Sequence, residues 1–187
     1  MTLHFVSSGT KFPYTYYLGV QTAYAVHLSK IPIKLHILHK PESKYYDILS
    51  SNPNITICQA KIDENLPVFS LNFMVEPGFS DGMIKNWKLV AKFDYMMWEI
   101  IAREGGIIMG LDSICMRPWY HYLGTYEILA GISPRSKSRK SLMMHGAVVR
   151  KGSVVAQQIW EDIKKVSQGI DPGGIHRQIL NGHYRWG

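Results

Sequence analysis

The chain has 187 residues, of which 46% are hydrophobic and 19% charged, a composition typical of a globular protein with a substantial core. Its 21 Lys and Arg against 14 Asp and Glu give a formal net charge of +7, which favours an anionic partner such as a nucleotide, a phosphorylated lipid or a nucleic acid. No stretch reaches the ~18 apolar residues of a membrane span, and the N-terminal stretch lacks the basic start and long apolar core of a signal peptide. We therefore expect one cytoplasmic domain over residues 1–187, with a membrane surface as a further, peripheral partner of its basic face.

The two cysteines, Cys58 and Cys115, lie far apart in the sequence, each inside an apolar stretch. A buried free thiol behaves as a small hydrophobic residue, whereas a disulfide needs an oxidising compartment. We therefore expect two free thiols and a reducing environment.

The first 112 residues alternate short apolar runs with segments of helical spacing. Apolar runs bounded by turn residues predict strands, and apolar residues on one helical face predict helices. The prolines and glycines of the region 62–86 predict a long loop with at most one short strand. In chain order we predict a strand at 3–6, a helix at 14–28, a strand at 33–38, a short helix within 40–54, a strand at 54–62, this loop, a helix at 87–103 and a buried strand at 106–111. Gly105 is predicted to end the long helix in a left-handed conformation.

The second half of the chain carries weaker signals. Residues 125–133 and 142–150 predict two strands, 153–166 a helix, and 169–187 a turn, a short helix and an aromatic tail. Alternating strands and helices favour a parallel sheet. We therefore predict the α/β class, with a mostly parallel Rossmann-like sheet flanked by helices and no internal repeat or linker.

One carboxylate, Asp112, comes directly after the predicted buried strand 106–111. In open α/β sheets, ligands bind beyond the carboxyl ends of the strands. A carboxylate at that place can hold a hard cation, and the cation can hold a diphosphate. Alternatively, Asp112 only closes the turn through its side chain. The local pattern favours neither interpretation.

The sequence around Asp112 resembles a known family. The stretch "KFDYMMWEIIAREGGIIMGLDSICMRPW", residues 92–119, is similar to the DXD-containing sugar-binding region of GT-A glycosyltransferases. That group includes capsular-polysaccharide and mannosyl-type transferases, with the large clostridial glucosylating toxins as distant relatives. The helix with Lys92, Asp94 and Trp98, the Gly-Gly-Ile turn, the strand ending at Asp112 and the following Arg-Pro agree without a gap. Weaker similarity in "LHFVSSGT" and "MMHGAVVRKGSVVAQQIWEDI" extends the resemblance over most of the chain.

The resemblance implies a GT-A-like domain that binds a nucleotide-diphosphate sugar together with Mn²⁺ or Mg²⁺. On this basis Asp112 is the metal ligand and Asp94 binds hydroxyl groups of the donor sugar. Gly110 occupies the first position of the DXD motif at the donor-sugar site, where it offers no side chain. Relatives often take a further metal or phosphate ligand from near the C-terminus, for which His176, with His183, is the candidate. An ordinary surface position is the alternative for each histidine.

The resemblance also implies further contacts. The first strand of the relatives meets the nucleotide, so that Val6, Ser7 and Ser8 are candidate nucleotide contacts, together with Leu111. His145, at the end of a predicted strand, is the candidate acceptor contact, with a hydrogen-bonded structural histidine as the alternative. Relatives generally retain the anomeric configuration without an evident carboxylate nucleophile, so no catalytic nucleophile or base is assigned.

Two departures from the family pattern define the functional hypotheses. Gly110 replaces the first Asp of DXD, and Met97 stands where an Arg is expected. The first hypothesis is a metal-assisted, retaining hexosyltransferase of polysaccharide biosynthesis that moves a sugar onto a glycan or lipid-linked acceptor. The second is a nucleotide-sugar-binding module that has lost turnover, which both departures favour. The third, a basic nucleic-acid-binding domain, rests on net charge alone, and nucleic acid is not an expected partner.

Overall fold

The computed structural model describes residues 1–27, 30–63, 65–66, 81–122, 126–132 and 142–168, with the backbone alone at 81–87, 120, 131–132 and 142–145. The predictions made for 67–80, 133–141 and 169–187, the aromatic tail included, lie outside the described residues. Within the described part of the chain, no helix is long and apolar enough to cross a membrane.

Among the described residues, six strands form one sheet in the order β3-β2-β1-β4-β6-β5. Strands β1 to β4 run parallel to one another, and β6 runs antiparallel to both β4 and β5. The predicted α/β class with a mostly parallel sheet is therefore confirmed. The strands are β1 Leu3–Ser7, β2 Ile33–Ile37, β3 Ile55–Gln59, β4 Gly106–Met109, β5 Ile128–Ile132 and β6 Leu142–Val149.

In the part of the chain that the structure describes, four helices flank the sheet: α1 Tyr14–His27, α2 Lys44–Ser50, α3 Asp81–Glu104 and α4 Val154–Ser167. All four were predicted, but α3 begins at Asp81, so the prediction of a loop through residue 86 is wrong. Gly82 lies in the first turn, where a glycine does not interrupt the helix interior. Gly105 has φ 62° and ends α3 as predicted.

Side chains alternate along the strands and fill two hydrophobic cores. One core lies under α1 and α2 and the other under α3 and α4, so both faces of the parallel strands are covered. Both cysteines are free, as predicted, with Cys115 buried in the first core and Cys58 half-buried. The first core includes Leu3, Phe5, Val20, Leu49, Ile107 and Met109, and the second includes Val6, Met97, Trp98, Ile108, Ala147 and Ile159.

A buried histidine pair lies between β1 and β2 on the α3 side of the sheet. The Nδ1 atom of His4 and the Nε2 atom of His36 are 3.0 Å apart, and the two residues are 0% and 4% exposed. A hydrogen bond between two imidazoles needs one N–H donor and one unprotonated nitrogen, which two charged rings cannot supply. Burial lowers the pKa of each ring to about 4. The pair is therefore neutral in the folded protein at physiological pH.

This pair predicts a loss of stability in acid. The pKa of an unfolded histidine is about 6.5, above the folded value of about 4. The stabilising contribution is thus complete above pH 6.5 and is lost as the pH falls towards 4. NMR titration of the imidazole signals, assigned with His4→Gln and His36→Gln variants, is expected to give both midpoints near pH 4. A midpoint near 6.5 for either ring would contradict a neutral buried pair.

Candidate functional site

The carboxyl ends of β1 and β4 form the topological switch point of the sheet. From β1 the sheet continues to β2 and β3 on one side, whereas β4 pairs with β1 on the other side. Because Phe5 pairs with Met109, Ser7 at the end of β1 lies at the same edge as Gly110 after β4. Open α/β sheets bind ligands in the crevice at such a point.

Asp112 lies on a turn directly after β4, and its side chain is exposed. The strand ends at Met109, before the predicted end at Leu111, and the amide of Ser113 donates to the carbonyl of Gly110 over 3.1 Å. Among the described residues, the Asp112 carboxylate forms no hydrogen bond or ion pair. The turn is thus closed by its backbone, which argues against the alternative that Asp112 only caps it.

Helix α1 holds the backbone on both sides of Asp112. A Cβ atom on Gly19 would overlap the carbonyl oxygen of Leu111, so the backbone of α1 is in direct contact with the backbone of the turn at this residue. One turn of α1 later, the Thr22 hydroxyl accepts a hydrogen bond from the amide of Cys115 over 3.2 Å. A glycine and a hydroxyl on one helix therefore fix where the turn, and with it the Asp112 carboxylate, stands.

Asp94 is a half-buried carboxylate on the sheet-facing stripe of α3. Met97, Trp98 and Ile101 follow it at helical spacing, and each is at most 7% exposed in the second core. No hydrogen bond or ion pair joins Asp94 to the described residues. Burial raises the pKa of Asp94 to about 7. A carboxylate thus occupies a position that the helical pattern would otherwise give to an apolar side chain.

The position of Asp94 along the direction of the strands follows from helix and strand geometry. Asp94 lies about 15 Å before the end of α3 at the helical rise of ~1.5 Å per residue. Strand β4 starts directly after α3 and advances about 13 Å from Gly106 to Gly110. Asp94 therefore stands near the carboxyl edge of the sheet. The Ser8 hydroxyl, just after β1, donates to the carbonyl of Leu89 over 3.0 Å and ties this edge to α3.

The other predicted nucleotide contacts have mostly buried side chains. Val6 is 2% exposed and Leu111 6% exposed, one in each core. Ser7 is also buried, and its carbonyl accepts a hydrogen bond from the amide of Leu38. Their main-chain groups, and the half-buried Ser8, are what this edge can offer to a nucleotide.

The predicted histidine contacts are placed less fully. His145 lies within β6 rather than at the end of a strand, because β6 continues to Val149. Its side chain, and the whole of His176 and His183, lie outside the described residues. Among the side chains that the structure describes, no group of three or more His, Cys, Asp and Glu could hold a metal ion.

A cavity of about 840 Å³ opens beside the Asp112 turn, on the α1 side of the sheet. It lies between the strands β4, β6 and β5 and the segment 113–122, whose last residues, Tyr120–Tyr122, form a short 3-10 helix. We call this cavity the lateral groove. Its described lining includes Ile114, Met116, Arg117, Trp119, His121 and Tyr122.

Sequence reasoning missed Gly19, Thr22 and the lateral groove. An isolated glycine inside a helical pattern commonly has a packing reason, and that signal was present in the sequence of α1. The groove left no comparable signal, because its walls come from β4, β5, β6 and the segment after Asp112, which are distant in sequence.

Comparison with known proteins supports the fold. No family model and no curated protein matches the chain. The solved structure of PaToxG glycosyltransferase is similar over 97% of this chain and 66% of its own, with a TM-score of 0.55 and 16% identity. The galactosyltransferase LgtC, solved with donor and acceptor sugar analogues, is similar over 97% of this chain and 70% of its own, with a TM-score of 0.49 and 13% identity. The chain therefore has a GT-A-like fold and spans about two thirds of the length of PaToxG.

The contact between α1 and the Asp112 turn makes Gly19 sensitive to substitution. Gly19→Ala is expected to lower the free energy of unfolding by roughly 1–3 kcal/mol, because the new methyl group overlaps backbone that cannot rotate away. Chemical denaturation measures the change. Gly9→Ala is the control, because its Cβ would meet no atom closer than 4.0 Å. Without the overlap, alanine would stabilise α1 through its higher helix propensity, so a more stable Gly19→Ala variant would contradict this contact.

Asp94 is expected to reduce stability in neutral solution. Its pKa rises from 3.8 to about 7 on folding, so the folded state binds the extra proton, and stability falls as the pH rises through that range. Asp94→Asn removes the ionisation. The gain in free energy of unfolding of the variant over the wild type should be larger at pH 8 than at pH 4 by roughly 1–3 kcal/mol. Denaturation of both proteins at the two pH values gives this difference. An equal effect at pH 4 and pH 8 would exclude a buried ionisable carboxylate.

Proposed function

We propose that the chain is a glycosyltransferase that binds a nucleotide-diphosphate sugar at the carboxyl edge of β1 and β4 and transfers the sugar to a glycan or lipid-linked acceptor. The observation that carries the proposal is the pair of carboxylates, Asp94 and Asp112, at the switch point of a GT-A-like sheet. Neither has a hydrogen-bond or ion-pair partner among the described residues. An uncompensated half-buried carboxylate such as Asp94 is costly unless a ligand satisfies it.

Each carboxylate suits a different part of the donor. Asp94 lies on a covered helix face, where sugar hydroxyl groups can donate hydrogen bonds to it. Donation to the ionised form stabilises the charge that burial disfavours, so binding of the sugar would lower the pKa of Asp94. Asp112, exposed on its turn, suits the charged diphosphate through a cation. Ser8 and the main chain after β1 would meet the nucleoside.

The exposed carboxylate of Asp112 suits a hard divalent cation that is also held by the phosphates of the donor. Mg²⁺ usually keeps several waters and binds through one or two carboxylates and substrate phosphates. Asp112 supplies one exposed carboxylate on a backbone-closed turn, and His176 remains a proposed further ligand. When bound, Mn²⁺ or Mg²⁺ would neutralise the negative charge that develops on the leaving diphosphate.

A second candidate function is a nucleotide-sugar-binding module without turnover. Met97 is 2% exposed and packs in the second core. The position where the family resemblance expects an Arg therefore delivers no guanidinium to the site. Gly110, between β4 and Asp112, likewise offers no carboxylate. Both features preserve a cleft but remove charged contacts from it.

Binding of a nucleotide-sugar panel, measured by calorimetry with and without Mn²⁺, tests the proposal. Asp112→Ala is expected to weaken the metal-dependent binding of the donor about 10- to 100-fold, as loss of a metal-site residue commonly does. Asp94→Asn should lower the affinity for the nucleotide sugar about tenfold and leave the affinity for the free nucleoside diphosphate unchanged, because Asp94 is proposed to accept hydrogen bonds from the sugar alone. Asp47→Ala, another exposed aspartate on α2, is the matched control and should bind as the wild type does.

Hydrolysis of the bound donor separates the two candidate functions. Slow, metal-dependent release of the free sugar that disappears in Asp112→Ala supports a transferase. Tight binding without any hydrolysis or transfer supports the binding module. Equal donor affinity in the wild type and in Asp112→Ala would reject the assignment of the site.

A further inference from the structure

The lateral groove has an exposed apolar rim. Ile114 is 51% exposed, Met116 79% and Tyr122 49%, and all three border the same cavity. Clustered exposed apolar side chains beside a cavity mark a binding surface, because folding alone gives no reason to hold them in water. The volume of about 840 Å³ is within the range of sites for small organic molecules.

Charge in the groove has one sign. Arg117 contributes this positive charge, and no carboxylate is among the described residues of the lining. A guanidinium recognises phosphate through paired hydrogen bonds. The remaining walls are mostly apolar, with Met109, Trp119 and Leu129 on the sheet side. A free glycan would need many more polar partners than these walls offer, whereas an apolar chain that carries a phosphate matches both kinds of surface.

The groove also begins where the proposed donor site ends. Ser113, the residue after Asp112, is in its lining, and Met109, the last residue of β4, forms part of its wall. We propose that the lateral groove binds a lipid phosphate, with the apolar chain along the rim and the phosphate at Arg117, and that this lipid phosphate is the acceptor. The acceptor role rests on the proposed glycosyltransferase function, whereas the binding of a lipid phosphate does not.

A phosphate acceptor is consistent with a site to which no general base is assigned. A phosphate monoester is already largely ionised near neutral pH, since its second pKa is about 6. In the transfer, a phosphate oxygen of the acceptor forms a bond to the anomeric carbon, and the bond from that carbon to the donor diphosphate breaks. The nucleoside diphosphate leaves with the electron pair, the product is a sugar–phosphate–lipid diester, and no proton has to be removed from the nucleophile.

Calorimetry with the full chain and decyl phosphate, kept below its micelle concentration, tests the groove. Decanol and inorganic phosphate are the matched probes, and each should bind at least about tenfold more weakly, because each lacks one of the two recognised parts. Ile114→Glu and Arg117→Gln should each lower the affinity for decyl phosphate about tenfold. The first introduces a charge that repels the phosphate, and the second removes the cation that binds it. Ile48→Glu on α2, with 50% exposure, and Arg150→Gln, exposed after β6, are the controls and should change binding less than about twofold.

Four results would overturn the proposal: no binding of decyl phosphate, equal binding of decanol, equal binding of inorganic phosphate, or equal losses in the groove and control variants, which would indicate adsorption to any apolar surface. Met116→Glu, at the most exposed rim position, replaces Ile114→Glu if that variant does not fold. Nucleotide-sugar binding by the same preparation separates the two proposals. If the donor binds and decyl phosphate does not, only the groove assignment fails. If decyl phosphate binds and no donor does, the glycosyltransferase proposal and the acceptor role fail, and the lipid-phosphate site stands.

Discussion

The close contact between α1 and the turn after β4 is the constraint on which the site depends. Gly19 brings the helix against the carbonyl of Leu111, and Thr22 holds the amide of Cys115. A larger residue at position 19 would move either the helix, which covers the first core, or the turn, which carries Asp112. The packing of α1 on the sheet and the position of the proposed metal ligand therefore depend on the same contact.

On the α3 side of the sheet, the histidine pair and Asp94 have opposite effects on how stability depends on pH. The neutral pair His4–His36 stabilises the fold more as the pH rises from 4 to 6.5, whereas the ionisation of Asp94 destabilises it over an overlapping range. The two histidines hydrogen-bond to each other through His4 Nδ1 and His36 Nε2, while the buried His4 Nε2 atom has no hydrogen-bond partner. Asp94 has no hydrogen-bond or ion-pair partner among the described residues, which supports its proposed role in donor binding. Unfavourable groups of this kind concentrate at ligand sites.

Much of the fold could be predicted from the sequence, because local patterns determine it. The Gly105 cap, the apolar stripe of α3 and the order of strands and helices follow from periodicity and turn chemistry. The start of α3 was missed because a glycine such as Gly82 is as common in a loop as it is acceptable in the first turn of a helix, so the sequence does not distinguish the two. The level of Asp94 could be anticipated only through a family resemblance, since periodicity alone would have classified it as an interruption of the stripe. Gly19 was visible as a glycine in a helix, but its partner in the turn lies far away in the sequence.

The two proposed ligands approach from opposite faces of the sheet. Asp94 belongs to α3 and the second core, whereas the lateral groove is built on Met109, Leu129 and the face of the first core. Strand β4 contributes side chains to both faces, and Asp112 stands at its end, where the faces meet. Because the two cores share strands but few side chains, residues on one face can change without displacing the other. Met97 illustrates this separation, because its side chain packs in the second core beside the proposed sugar site and is not part of the lining of the groove. A residue of the proposed donor site on the α3 face can therefore differ without changing the walls of the proposed acceptor groove.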